Sequence, residues 1–530
     1  MPQSRSLLMA LALTVLSVGL FALAFPPWNL RILAFVCLVP LFLALRSGGL
    51  GRALLLGGFW GILIGWAIAS VFPASIARFY ERPPWFGVIA GNVIFAVMAA
   101  GYYAVFAALD RTLVRSPRVF TPLLVAAAWV TMELARGRLF TGSAFFIGNP
   151  WGLLGYTHAT GPMAQVASLA GVYGISFVLV AVNAGLAGWF AAWREPNASG
   201  HRAAGALALA TLPALAVALG GSAALRAAPA ATEGEGFREV AIAQGNLSVE
   251  RRWRSDFYGK NLDVYLELTR RAVEQGTPLT VVWPESAMTF FVESAPSYRN
   301  AIAAVLRAGD VELLAGGPSV TTTVEGHPAP PFYNSVFLLD AEGEIRQRYD
   351  KEYLVPFSEY FPFARLDLMR RAIEGARTFE HGAADAPPLE TRLGRAGILI
   401  CNEAMLPEVA RARVRAGAEL LVSPSNDSWI AGRAFAAHMS AVVGLRAVEQ
   451  RRYLIRASTS GPSAIVDPWG RVQVMTDAFT QDVLRGRVRP EQTLSGYARL
   501  GDSFAGACAL AACLGCVRLR RGGARHTAGG

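Results

Sequence analysis

A glutamate, a lysine and a cysteine that could together perform acyl transfer each follow a short run of β-type residues. Glu285 comes after Val-Val-Trp-Pro, Lys351 after Arg-Tyr-Asp, and Cys401 after Ile-Leu-Ile. A cysteine is a nucleophile only as its thiolate, and a nearby carboxylate can accept the thiol proton. An ammonium can stabilise the oxyanion that forms when sulfur attacks a carbonyl. These residue types therefore indicate acyl transfer through a thioester.

Each of the three residues also has a purely structural interpretation. A cysteine after a buried strand can be a small core residue, a glutamate after Trp-Pro a solvated turn residue, and a lysine after a hairpin an exposed one. The three lie far apart in the sequence, so only the tertiary fold can bring them together. The carboxyl ends of strands in an α/β sheet are where such side chains converge.

The polar part of the chain, residues 236–497, predicts one α/β domain with its own core. Short β-type runs alternate there with amphipathic helical patterns. The predicted strands are Val240–Ala243, Thr280–Trp283, Glu312–Ala315, Ser335–Asp340, Ile345–Tyr349, Gly397–Ile400, Leu420–Ser423, Tyr453–Ser458, Ala464–Val466 and Arg471–Met475. The predicted helices are Asp256–Glu274, Ser297–Ala308, Pro407–Ala416 and Phe435–Glu449.

The composition predicts that this domain is attached to a membrane. Of 530 residues, 53% are apolar and 16% charged, whereas soluble domains carry about 25% charged residues. Apolar runs approach the roughly 20 residues that span a bilayer, and the first is interpreted as a membrane helix rather than a cleaved signal peptide. The eight runs are Leu7–Phe25, Ile32–Leu45, Ala53–Val71, Trp85–Leu109, Pro122–Leu134, Met163–Trp193, Ala203–Leu225 and Phe504–Val517.

These runs divide the chain into four predicted segments. Residues 1–230 form a membrane domain of seven helices, and residues 236–497 form the catalytic α/β domain. Residues 503–518 form a C-terminal transmembrane helix, and 519–530 a cytoplasmic tail. About eight transmembrane helices are therefore expected in all.

The net charge of +11 is interpreted as a topology signal. Positive residues are retained in cytoplasmic loops, and alternate loops are arginine-rich when the N-terminus lies inside. This arrangement places the α/β domain on the outer face, and no basic stripe is left for nucleic acid. The inside arginines are Arg46, Arg52, Arg111, Arg115, Arg118, Arg194 and Arg202, with Arg518, Arg520, Arg521 and Arg525 in the tail.

The cysteines give no sign of a metal site or a disulfide framework. Four of the five lie in apolar stretches, and no Cys/His spacing suits zinc. Cys513 and Cys516 form a Cys-x-x-Cys inside a hydrophobic segment, where two small apolar residues are the plainer interpretation. We expect no metal and no cofactor.

An aromatic loop over about Ala135–Pro162 has two possible roles. Aromatic side chains favour the headgroup level of a bilayer. The loop is therefore either an interfacial belt or a lipid-entry surface beside an active site. Its aromatic residues are Phe140, Phe145, Phe146, Trp151 and Tyr156.

Longer strings around the three candidate residues resemble those of the nitrilase superfamily. They are Val-Val-Trp-Pro-Glu-Ser-Ala (281–287), Tyr-Asp-Lys-Glu-Tyr-Leu-Val-Pro-Phe-Ser-Glu-Tyr-Phe-Pro (349–362) and Leu-Ile-Cys-Asn-Glu (399–403). With the multispan N-terminal part and Ser-Asn-Asp-Ser-Trp (425–429), the chain resembles the apolipoprotein N-acyltransferase family over almost its whole length.

The resemblance implies a fold, a reaction and a compartment. The fold is an α-β-β-α sandwich on a membrane base. In the ping-pong reaction, an acyl chain passes from a phospholipid, typically phosphatidylethanolamine, to the cysteine. The thioester then acylates the N-terminal amine of a diacylglyceryl-cysteine lipoprotein. The compartment is the periplasmic face of a bacterial inner membrane.

The resemblance also assigns roles to residues. Glu285 is then the general base, Lys351 the oxyanion stabiliser and Cys401 the nucleophile. Supporting acids are Glu359 and Glu403, and residues that line the substrate pocket are Trp253, Asn334 and Trp429. One departure stands beside the nucleophile, where Asn402 replaces a common aromatic residue; its backbone N–H can still donate to an oxyanion, but a ring contact to the acyl chain is lost.

Two other functions are compatible with parts of the sequence. A membrane-tethered amidase or nitrilase would use the same three residues with water as second nucleophile, but a small soluble substrate needs no multispan platform. A non-catalytic scaffold that binds lipoproteins would not need the intact glutamate, lysine and cysteine strings.

Overall fold

The chain folds into two compact units. A computed structural model describes residues 2–115, 118–139, 148–194, 200–230, 234–247, 257–320, 332–360, 378–430 and 432–527. The first unit combines Met1–Leu139, Asn149–Ala227 and Leu500–Gly530, and the second contains Ala228–Arg499.

The first unit is a bundle of apolar helices. Ala96–Ala100 is a π-helical turn that joins two of them, and a C-terminal helix, Ser503–Thr527, packs against the bundle. The other helices are α1 (Pro2–Ala24), α2 (Val39–Leu45), α3 (Leu50–Ala69), α4 (Val71–Phe79), α5 (Pro84–Phe95), α6 (Gly101–Leu113), α7 (Thr121–Arg138), α8 (Ala167–Arg194) and α9 (Gly200–Ala227).

Five helical segments in the described part of this unit are long and apolar enough to cross a membrane. They are Ser6–Ala24, Leu50–Ala69, Pro84–Leu113, Met163–Arg194 and Gly200–Ala227. Large apolar side chains also lie on the outside of the bundle; Leu55, for example, is 76% exposed. An outer surface of this kind suits lipid rather than water.

The predicted second span differs from the helix that forms. Ile32–Leu45 is divided into a 3-10 turn, Arg31–Phe35, and the short helix α2. Pro40 has no N–H to continue a helix from the preceding turn, so α2 begins beside it. The Asn183 carboxamide satisfies the break, since it accepts from Leu38 N and donates to Ala34 O, both at 2.8 Å.

Two residues of the aromatic loop are buried, which contradicts both roles predicted for them. Trp151 and Tyr156 are 6% and 2% exposed. The Trp151 ring packs edge-on to Phe72, and the backbone carbonyl of Trp151 accepts from Arg136 Nη1 at 2.7 Å. Trp151 is thus held inside the unit by these contacts, and Tyr156 is buried with it. Phe140, Phe145 and Phe146 lie outside the described residues.

The second unit is built on two six-stranded sheets. The strands of the first are ordered β12-β1-β2-β3-β4-β5, and those of the second β11-β10-β9-β8-β7-β6. The strands are β1 (Arg238–Gln244), β2 (Thr280–Val282), β3 (Glu312–Val320), β4 (Phe332–Leu339), β5 (Ile345–Asp350), β6 (Leu389–Thr391), β7 (Gly394–Ile398), β8 (Leu420–Ser425), β9 (Leu454–Ser458), β10 (Ala464–Val466), β11 (Val472–Met475) and β12 (Asp482–Val488).

Helices cover the outer faces of the sheets and complete an α-β-β-α sandwich. Alternation in β1 shows the layering: Ala241 packs toward the helices, whereas Val240 and Ile242 pack between the sheets. The helices are α10 (Tyr258–Glu274), α11 (Pro296–Gly309), α12 (Pro407–Arg415), α13 (Arg433–Gln450) and α14 (Gly496–Leu500).

The elements of this unit agree with the sequence prediction except for the short helix α14 and two strands at the sheet edges. Strands β6 and β12 were not predicted. In β12, charged residues and Gly486 interrupt the β-type signal, but Leu484 and Val488 still reach the core and the strand pairs with β1. Strand β7 ends at Ile398, two residues before the predicted end, because the chain then turns toward Cys401.

Candidate active site

Glu285 is placed by a close approach between two neighbouring strands. It follows β2, and Met288 N donates to Gly316 O of β3 at 2.9 Å. A Cβ on Gly316 would lie 2.5 Å from Pro284 O and 2.6 Å from Glu285 Cα. Only glycine lets the backbone of β3 pass this close to residues 284 and 285, so Gly316 determines where the Glu285 loop lies.

Lys351 lies directly after β5 and points into a pair of carboxylates. Its Nζ donates to Glu359 Oε1 at 2.9 Å and to Glu285 Oε1 at 3.4 Å. The side chain is 1% exposed. An ammonium has three donors, so among the described residues one N–H is left for another acceptor.

Asn334 joins the two carboxylates from the neighbouring strand β4. Its Nδ2 donates to Glu285 Oε1 and to Glu359 Oε1, both at 2.7 Å. Glu359 also accepts from Val355 N at 2.7 Å. The amide that the sequence assigned to a pocket lining therefore contacts the carboxylates and holds them around Lys351.

Cys401 occupies a strained turn after β7. Its φ is +54°, in the left-handed region that side chains other than glycine rarely adopt. The residue opens a short 3-10 helix, Cys401–Met405, and remains partly exposed. In the described part of the chain the Asn402 N–H has no acceptor. A partly exposed thiol thus lies beside a free backbone donor.

Glu403 ties this turn to the loop that follows Lys351. It is fully buried, and its Oε2 accepts from Ile400 N at 2.7 Å. Its Oε1 accepts from Tyr349 OH and from Glu352 N, both at 2.8 Å. One carboxylate therefore fixes the chain on both sides of the candidate nucleophile and lysine.

Arg413 of α12 supports this junction from behind. Its Nη2 donates to Tyr349 OH at 2.7 Å and to Glu352 Oε2 at 2.8 Å. Asn402 also donates from Nδ2 to Tyr353 O at 2.9 Å. The residue that departs from the family pattern therefore adds a further tie between the two loops.

Charges and burial oppose each other at the lysine and the cysteine. Burial acts to lower the pKa of Lys351, but the carboxylates of Glu359 and Glu285 outweigh it and raise that pKa. Burial raises the pKa of the Cys401 thiol, and Glu285 raises it further while Lys351 opposes both. The lysine is therefore charged and the resting thiol protonated at neutral pH, so attack requires a proton acceptor.

Sequence reasoning missed a buried ion pair that supports Glu285. Asn426 N, after β8, donates to Glu285 Oε2 at 2.8 Å. The adjacent Asp427 pairs with Arg456 of β9, and both are at most 3% exposed. Hydroxyls of Ser425 and Ser458 also donate to Asp427. An arginine inside the apolar run Leu-Ile-Arg-Ala-Ser was the available signal, because such a residue must find a buried partner.

The remaining predicted residues are less informative. Trp429 is half-buried in the loop after β8. Trp253 lies outside the described residues. The fold brings Glu285, Lys351, Cys401, Glu359, Glu403 and Asn334 into one cluster.

Comparison with known proteins first shows which families each unit resembles. The profile of the carbon-nitrogen hydrolase family matches residues 239–495, which cover the two-sheet unit. An amidase from Nesterenkonia with a solved structure is 20% identical, with a TM-score of 0.36 over 50% of this chain and 95% of that chain. The profile of the apolipoprotein N-acyltransferase N-terminal domain matches residues 17–185, within the helical unit.

Full-length relatives narrow the class to one family. The apolipoprotein N-acyltransferase of Geobacter metallireducens is 34% identical over 97% of this chain and 96% of its own. That of Azotobacter vinelandii is 32% identical over 92% and 91%. The chain belongs to the apolipoprotein N-acyltransferase family.

Proposed function

We propose that this membrane protein N-acylates lipoproteins, with Cys401 carrying the acyl group as a thioester. The observation that supports this most is the cluster in which one buried ammonium contacts two carboxylates beside a strained, partly exposed thiol. Glu285 is the general base, Lys351 the oxyanion stabiliser and Cys401 the nucleophile. Glu359, Glu403 and Asn334 position them.

The first half-reaction transfers an acyl chain from a phospholipid. Glu285 accepts the thiol proton as Sγ forms a bond to the ester carbonyl carbon. The resulting oxyanion accepts from Lys351 Nζ and the Asn402 N–H. Collapse breaks the ester C–O bond, and the proton on Glu285 passes to the lysophospholipid oxygen that leaves.

The second half-reaction transfers the chain to an amine. The N-terminal amine of a diacylglyceryl-cysteine lipoprotein attacks the thioester carbonyl, and Glu285 accepts a proton from the nitrogen. Collapse breaks the C–S bond, and the thiolate recovers the proton. The amide that forms is more stable than the thioester, so the two half-reactions together are favourable without ATP.

The apolar helical unit supports the same assignment. Both substrates carry acyl chains, and burying each CH₂ contributes about 0.8 kcal/mol. Substrates held in a bilayer reach the enzyme by lateral diffusion. We propose phosphatidylethanolamine as the donor, and the periplasmic face of a bacterial inner membrane as the location of the catalytic unit.

Trapping of the acyl-enzyme tests the proposal. The full-length protein is incubated with radiolabelled phospholipid and no acceptor, and the labelled peptide is identified by mass spectrometry. We expect a hydroxylamine-sensitive label on Cys401, and no label and no N-acylation with Cys401→Ala. Cys37→Ala, a buried cysteine in the helical unit, is the matched control and should retain both.

Two results would refute it. One is full N-acylation by Cys401→Ala. The other is lipid-independent turnover of short amides by the wild-type protein with no acyl-enzyme formed from phospholipid, which would indicate an amidase.

A further inference from the structure

A partly open cavity of about 460 Å³ lies among the helices of the first unit. Its lining comes from α2, α6, α7, α8 and α9 and from the connections that flank them. The volume falls in the range of about 300–1,000 Å³ typical of ligand sites. Neither the catalytic cluster nor the proposed reaction uses it.

The polar lining of this cavity is strongly cationic. Within the described residues, Arg46, Arg115, Arg118 and Arg202 line it, and Asp110 is the acidic residue among them. Asp110 is 2% exposed and offsets one positive charge. The cavity therefore keeps a net positive charge beside apolar walls.

Charge retention in cytoplasmic loops explains arginines near a membrane but not their convergence on a cavity. One cavity wall is open because Gly188 has no side chain. A Cβ built there meets only Arg46 Nη2, at 3.9 Å. The small residue thus leaves space directly in front of a guanidinium.

We infer that this cavity binds the headgroup phosphate of an anionic membrane phospholipid. Guanidinium groups bind phosphate oxygens in pairs of parallel hydrogen bonds. Basic pockets between transmembrane helices suit anionic headgroups. The apolar walls, which include Phe42 and Val125, suit the glycerol and first methylenes of a lipid better than a free ion. No residue of the catalytic cluster lines the cavity.

Lipid retention measured by native mass spectrometry tests the inference. The full-length protein is reconstituted in nanodiscs of phosphatidylcholine with one-fifth phosphatidylglycerol, then released. We expect one retained phosphatidylglycerol per chain, and at least a tenfold loss with Arg118→Gln/Arg202→Gln. Arg111→Gln/Arg194→Gln removes the same charge from residues that do not line the cavity and should retain the lipid.

A second variant separates a site from diffuse attraction. Gly188→Leu keeps every arginine and fills the space before Arg46, so retention should again fall at least tenfold. Thermal unfolding of each variant verifies folding.

The inference is overturned by either of two results. One is equal lipid retention in wild type and both test variants. The other is binding of inorganic phosphate with this variant dependence while no lipid is retained.

Discussion

At the scale of residues, the proposed reaction depends on a Cys401 thiol that is protonated at rest. Burial and the nearby Glu285 raise the pKa of Cys401 above the ordinary value of 9.0, against the opposing effect of Lys351. Many cysteine nucleophiles instead have lowered pKa values. In the proposed mechanism a base must therefore remove the Cys401 proton at each turnover, and between turnovers the protonated thiol reacts slowly with other electrophiles.

This protonation state predicts slow alkylation of Cys401. With its pKa raised, the folded thiol stays protonated where an unfolded thiol ionises. Iodoacetamide should therefore modify Cys401 more slowly in the folded protein than after denaturation at pH 8, and the folded rate should still rise above pH 9. Peptide mass spectrometry over a pH series measures this. A plateau below pH 8 would contradict it.

The buried pair of Asp427 and Arg456 is predicted to support Glu285 through Asn426 N. Arg456→Met leaves a buried carboxylate without its cation, which costs about 3–5 kcal/mol. Asp427→Leu/Arg456→Met should recover much of the stability, yet its kcat should stay low because the loop after β8 no longer orients Glu285. The exposed Arg270, paired with Glu267, is the control: Arg270→Met should change stability by less than about 1 kcal/mol.

Thermal unfolding and N-acylation kinetics are measured together on these variants. If the double variant regained wild-type kcat along with its stability, a positioning role for the pair would be refuted.

At the scale of elements, the site depends on how closely neighbouring strands approach. Each candidate follows a strand end, and the two loops that carry Lys351 and Cys401 meet at Glu403. Its pKa is raised by burial, which Arg413 and Lys351 oppose. The two loops are thus held together by one buried carboxylate that accepts from backbone N–H groups of both.

Gly316→Val is predicted to abolish activity by displacing the Glu285 loop. The new Cβ would lie 2.5 Å from Pro284 O and 2.6 Å from Glu285 Cα, both backbone atoms. We expect kcat to fall at least about 100-fold, as on loss of a catalytic contact. Gly444→Ala, in α13, meets nothing closer than 4.0 Å and should keep activity. N-acylation kinetics measure kcat of both variants, and circular dichroism verifies that both are folded. A normal kcat in Gly316→Val would contradict the prediction.

At the scale of the whole molecule, the sandwich segment lies in the sequence between the main part of the helical unit and its C-terminal helix. The arginine distribution predicts that the sandwich lies on the side opposite the arginine-rich loops. Two exposed residues allow the two sides of the membrane to be distinguished. Glu342 lies at a hairpin turn of the sandwich, and Arg194 lies at the end of α8.

Labelling with an impermeant maleimide tests this topology in spheroplasts. Glu342→Cys should be labelled in intact spheroplasts, and Arg194→Cys only after lysis, each compared with the parent protein. The reverse pattern would place the sandwich on the cytoplasmic side.

Much of the architecture was accessible from the sequence because local patterns encode it. Apolar runs and period-two alternation report burial, so the helical unit and most strands of the sandwich were predicted close to their bounds. The edge strands β6 and β12 were not predicted, because a half-exposed edge strand tolerates polar residues and glycine that weaken the β-type pattern. The break in Ile32–Leu45 also escaped, because it relies on the distant Asn183.

By itself, the sequence determined which residue types stand at strand ends, and its longer strings pointed to the family. Only the tertiary structure decided what those residues contact. Asn334 donates to two carboxylates, and Glu403 joins two loops. Arg456 pairs with Asp427, next to the backbone N–H that donates to Glu285. Strand order and loop approach bring together side chains far apart in the chain, and no local pattern records such distances.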